Sequence, residues 1–118
     1  MTRPKKQITA TFVRGMPRGN NPGVEGQKLW RLSAPIRTEA MTVSESNGVR
    51  YFSDGTAYTN YVVTSAANVP FSGPETYLFP ADKDGKIINW LELEGSFRGD
   101  LDHQQAIRNA GWLIAGEK

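Results

Sequence analysis

A chain of 118 residues is one domain, able to bury roughly two-thirds of the surface that it exposes when unfolded. A hydrophobic content of 38% and a mean hydropathy of −0.49 describe a soluble protein, and no apolar run approaches the ~20 residues of a membrane span. The absence of cysteine excludes disulfides, thiolate catalysis and Cys-based zinc sites.

Net charge is only +2, but it is unevenly spread. Residues 1–31 carry seven basic residues (Arg3, Lys5, Lys6, Arg14, Arg18, Lys28, Arg31) against one acid, Glu25. Such an arm either binds nucleic acid or an acidic partner, or is a solvated terminus that docks on the protein's own acidic face. Residues 1–6 are expected to be disordered. No apolar h-region follows the charged start, so a cytoplasmic protein is expected.

Gln7 to Arg14 alternates, with Ile8, Ala10 and Phe12 on one face, and reads as a strand. Residues 15–27 hold four glycines and two prolines and read as a long loop. Lys28 to Ala34 is a strand that Pro35 ends or confines to an edge. Thr38 to Ser44 mixes helical and strand signals and is taken as a strand. Asn47-Gly48 and Asp54-Gly55 are turns on either side of a strand at Val49–Ser53, and a longer strand runs from Ala57 to Ala66. Pro70 to Pro74 links it to the next.

The segment from Glu75 to Trp112 organises the rest. It reads as strand, tight turn at Asp84-Gly85, strand, loop and helix. Asp-Gly supplies the positive φ that both central residues of a type I′ turn need. Ile87, Asn89, Leu91 and Leu93 alternate along the second strand. Asp102 is the helix N-cap, with Gln105 completing a capping-box variant, and Gly111 fits the left-handed position after the helix. Ile107 is its main apolar anchor. Trp112 to Ala115 forms a last edge strand. The fold class is thus α+β: a mostly antiparallel sheet of five to seven short strands, either curled around one C-terminal helix or closed into a small open barrel.

Chemistry is sparse. His103 is the one histidine, and without a partner motif it reads as a surface or capping-region residue rather than a general base. Asp82 to Ile87 imitates part of a calcium loop, but Pro80 and Leu91 stand where its first and last ligands should be. Glu92, Glu94, Asp100 and Asp102 surround Gly95 to Gly99, with Arg98 among them. This cluster suits a protein-docking patch, or at a distance a small hydrolase working with His103. No cofactor or metal is called for. Tyr58, Tyr61, Tyr77, Phe79, Trp30 and Trp90 are expected in the core rather than stacking on bases.

The stretches Val69-Pro-Phe-Ser-Gly-Pro-Glu-Thr-Tyr-Leu-Phe-Pro-Ala-Asp and Gly95-Ser-Phe-Arg-Gly-Asp-Leu-Asp-His-Gln-Gln-Ala resemble small uncharacterised accessory proteins of actinobacterial phages. The resemblance spans residues 61–112. It implies a non-enzymatic protein that binds a host or virion macromolecule. Together these readings favour a protein-binding role through Glu92, Glu94, Arg98, Asp100 and Asp102. The alternative is a nucleic-acid-binding module using the basic N-terminal third.

Overall fold

The computed structural model describes residues 7–16, 24–39, 45–52 and 55–116. The expected arm at 1–6, with Arg3, Lys5 and Lys6, lies outside the described residues, and so does Arg18. The described chain runs β1 (Thr9–Met16), β2 (Val24–Glu39), β3 (Glu45–Ser46), β4 (Val49–Tyr51), β5 (Thr56–Val69), β6 (Gly73–Ala81), β7 (Phe97–Arg98), α1 (His103–Asn109) and β8 (Leu113–Ile114). One sheet takes them in the order β3-β4-β5-β2-β1-β8, and β6 also pairs with β5 and carries β7 on its outer edge. β4 and β6 divide one edge of β5 between them, β4 along residues 57–59 and β6 along 61–69. Every pair is antiparallel except β1 with β8.

The α+β class, the mainly antiparallel sheet and the single late helix are as expected. The described residues form eight strand segments, three of only two residues, so the longer strands fall within the five to seven expected. Two strands are much longer than expected. β2 passes through Pro35 rather than ending there, because the ladder to β5 slips between Arg31 and Ile36. Pro has no N–H to donate, and a bulge is where a strand can tolerate it. Further bulges lie between Phe12 and Arg14 and between Val24 and Gly26, and the long strands curl into a half-barrel. The loop expected at 15–27 is correspondingly shorter: Gly15 pairs with Lys28 and Met16 with Gln27, so the ladder extends into it from both sides.

The helix closes one side of the sheet. Ala10, Trp30, Leu32, Val62, Leu78 and Ile107 are buried together there. Trp30 satisfies its indole N–H by donating to Thr64 Oγ1 at 2.9 Å. Asp102 caps the helix by accepting from the Gln105 amide at 3.0 Å. The capping box is only half made. The Asp102 amide donates to Thr76 Oγ1, and the Gln105 side chain donates to Asn109 Oδ1. Gly111, at φ 90°, ends the helix as expected, with Gly111 donating to Arg108 and Trp112 to Ile107. A second, smaller cluster of Leu29, Val63 and Ala81 fills the other side, bordered by Met16, Tyr61 and Ile87.

Candidate functional site

The region that stands out chemically is the outer flank of β6, where the expected partner strand does not form. Ile87 makes a single bridge to Ala81, and residues 88–93 belong to no strand. The turn before it is not type I′ either. Gly85 has φ 87° while Asp84 is not in the left-handed region, and the Gly85 amide closes the loop onto the Asp82 carbonyl at 3.0 Å. The Asp82 carboxylate accepts from the amides of Asp84 and Lys86, both at 2.9 Å. The short side chain has taken over the turn that the backbone was expected to make. Asn47 and Gly48, at φ 51° and 84°, supply the two-residue hairpin between β3 and β4.

Asn89 is what pulls the chain away from β6. Its amide group donates to Thr38 Oγ1 at 2.9 Å and to the Glu39 carbonyl at 2.6 Å, and its Oδ1 accepts from the Leu91 amide at 3.0 Å. Asparagine here competes with the ladder for the backbone. Trp90 and Leu91 are thereby lifted outward and are 70% and 55% exposed. They are not loose. The Trp90 ring meets Phe79 edge-on at 5.2 Å, and Phe79 stacks on Tyr77 at 5.8 Å. The chain rejoins β6 where Leu93 donates to the Leu78 carbonyl at 2.8 Å. Of the aromatic residues expected in the core, Trp30 and Phe79 are buried, whereas Trp90 and Tyr58 are exposed.

A charged pair continues the same flank. Glu75 is only 2% exposed, and its Oε1 accepts from Arg98 Nε at 2.9 Å and from the Tyr77 hydroxyl at 2.8 Å. Burial, and then the hydrogen bond to the Glu75 carboxylate, push the Tyr77 phenol up to about 12. From one end to the other the flank reads Arg98, Glu75, Tyr77, Phe79, Trp90, Leu91. Glu75 was missed in the sequence. The available signal was the i, i+2 spacing of Glu75 and Tyr77, which puts both on one strand face.

The expected docking cluster is partly dispersed. Arg98 belongs to this flank, and Glu92 and Glu94 are exposed on the segment beside it. Asp100 and Asp102 serve the helix start instead. Asp100 accepts from the Leu101 amide and, through its carbonyl, from Thr76 Oγ1, while Asp102 is the cap. The described part of the basic set does not form one stripe. Arg14 and Arg31 alternate onto the side of β1 and β2 opposite Trp30, and Arg14 donates to the Asp84 carbonyl at 2.7 Å. Lys28 lies on the Trp30 side, with its ammonium 5.9 Å from the Phe12 ring centroid.

His103 is less ordinary than expected. It is half-buried, with Nδ1 2.7 Å from Thr64 Oγ1. Burial, then the nearby Lys28 ammonium, hold its pKa below the usual 6.5, against the opposing pull of Thr64 and Asp102. Thr64 Oγ1 also accepts from Trp30 and lies 3.5 Å from the Lys28 carbonyl, and which of Thr64 and His103 donates to the other follows the imidazole tautomer. With its pKa held below 6.5 the imidazole is neutral at pH 7, and its contact with Thr64 ties it to the sheet. Among the described residues, no group of three or more His, Asp or Glu is placed to hold a metal ion. No helix of the described chain is long and apolar enough to cross a membrane. Comparison of the chain with protein-family models, with curated proteins and with solved structures finds no match.

Proposed function

We propose that this is a non-enzymatic interaction protein that binds another protein through the Trp90–Leu91 ridge. The observation that carries the reading is a large, exposed aromatic side chain held in place rather than left mobile. Asn89 fixes the backbone beneath it and Phe79 supports its ring. Trp side chains with a polar surround are the commonest anchors of protein interfaces, and an anchor fixed beforehand loses little entropy on binding. Glu92, Glu94 and Arg98 supply the polar rim. The phage resemblance narrows the partner to a host or virion protein met in the host cytoplasm.

Tagged wild-type protein and Trp90→Ala, each exposed to the same host lysate, test this reading. A partner held by the wild type and lost by the variant, at equal melting temperature, supports it. Equal capture by both removes the ridge as the docking surface.

Lys28 over Phe12 favours nucleic acid as a second reading, because a sheet aromatic beside a cation can stack an unpaired base. Binding to random single-stranded DNA and RNA should then fall steeply with salt, and no binding at low salt removes it.

A further inference from the structure

A second feature lies away from that ridge, at the turn between β5 and β6. The Ser72 amide closes onto the Val69 carbonyl at 3.1 Å, with Pro70 and Phe71 between them. Phe71 has φ 69°. Proline first and a left-handed residue second describe a type II turn, whose second place belongs to glycine or asparagine. A bulky side chain there is an outlier that works against folding. Its ring is also fully exposed at the hairpin tip. The chain thus holds a large, fully exposed apolar ring in a strained conformation.

The opposite end of β5 carries a cleft of about 470 Å³, lined by Pro35, Phe52, Tyr58 and Asn60 together with Glu45 and Arg50. The cleft lies beside the Pro35 bulge, where the register of β2 on β5 slips between Arg31 and Ile36. Phe52 and Tyr58 meet edge to face at 5.5 Å and stay partly exposed. Aromatic pairs of this geometry can accept a third ring. Glu45 and Arg50 lie 3.7 Å apart and offset each other's charge. The hairpin matches that neutrality, because no charged residue occurs from Thr56 to Pro74. Tyr58 and Val69 are separated along β5 by roughly 35 Å at about 3.3 Å per residue, which no side chain spans within one molecule.

We infer that Phe71 of one copy of this chain docks into the Phe52–Tyr58 cleft of another, so that the protein assembles head to tail. Knob and cleft occupy different surfaces, so each copy engages two neighbours, and the result is a ring if the rotation closes and a filament if it does not. One ring in one cleft covers far less than the ~1,200 Å² of a standard interface, so association in solution is weak and concentration-dependent.

Sedimentation equilibrium and light scattering on the full chain, from micromolar to millimolar concentration, test this. Expected are a wild-type mass that rises with concentration and variants Phe71→Gly and Phe52→Ser that each stay monomeric. Phe71→Gly should melt no lower than the wild type, since glycine suits the turn. Tyr58→Glu replaces Phe52→Ser if that variant does not fold. The decisive arm mixes Phe71→Gly with the cleft variant. One intact knob then faces one intact cleft, so the pair forms a heterodimer and grows no further. A wild type that is monomeric throughout, a Phe71→Gly variant that assembles like the wild type, or a mixture that fails to pair overturns the inference. Binding of monomeric wild type, but not Phe71→Gly, to zwitterionic vesicles also overturns it and assigns the ring to a bilayer.

Discussion

Met16 occupies the space that a side chain on Gly85 would need: a Cβ built there lies 2.7 Å from the thioether sulfur. The contact joins the end of β1 to the turn after β6 and helps to cover the small cluster of Leu29, Val63 and Ala81. Gly85→Val is therefore opposed chiefly by its φ of 87°, since the flexible Met16 thioether can move aside at small cost. A loss of roughly 1–3 kcal/mol is expected in urea melts. An unchanged midpoint for Gly85→Val contradicts the turn geometry.

Ile107 is fully buried among Ala10, Trp30, Leu32, Val62 and Leu78, while its neighbour Arg108 is exposed. Ile107→Ala should cost about 2–5 kcal/mol through lost burial and a residual cavity. Arg108→Ala should cost about 0.5 kcal/mol or less. Paired urea melts that give equal losses would mean that the helix packs by another face.

His103 should titrate below its ordinary 6.5, because burial and Lys28 disfavour the imidazolium. As pH falls through that value the unfolded chain takes up the proton before the folded one does. Stability is therefore full above 6.5 and declines below it. A ring titration by NMR reads the midpoint directly, and His103→Gln should flatten the acid limb of the stability profile. A midpoint at or above 6.5 contradicts the buried, neutral imidazole.

Tyr77 behaves in the opposite sense at the basic end. Its phenol is pushed up to about 12, so the unfolded chain loses this proton first and stability declines as pH rises from 10. Absorbance at the phenolate band should show one of the four tyrosines ionising late, and Tyr77→Phe should remove that step. Four tyrosines titrating together would contradict the hydrogen bond to Glu75.

Much of the frame could be read from local sequence. The alternation of Ile8, Ala10 and Phe12, the uncharged run through β5, and the Asp102 and Gly111 helix boundaries all marked elements where they occur. What could not be read depends on partners distant in the chain. Ile87 to Leu93 alternates as a strand should, yet Asn89 reaches Thr38 and Glu39, some fifty residues away, and that capture outweighs the ladder. The same event turned Trp90 from an expected core residue into an exposed one. Pro35 reads locally as a strand stop because its bulge exists only once β5 is alongside. Asp100 and Asp102 looked like a surface patch because nothing local announces that Thr76 lies between them.

The proposed role of Trp90 as docking anchor is tested most directly by the affinity of the captured partner for wild type and for Trp90→Ala. Titration calorimetry with both proteins purified should show at least a ~30-fold loss for the variant, the scale of a truncated hot-spot residue, with no change in melting temperature. An affinity within about twofold of wild type would contradict it, because a neutral truncation at the centre of an interface is not compatible with an anchor.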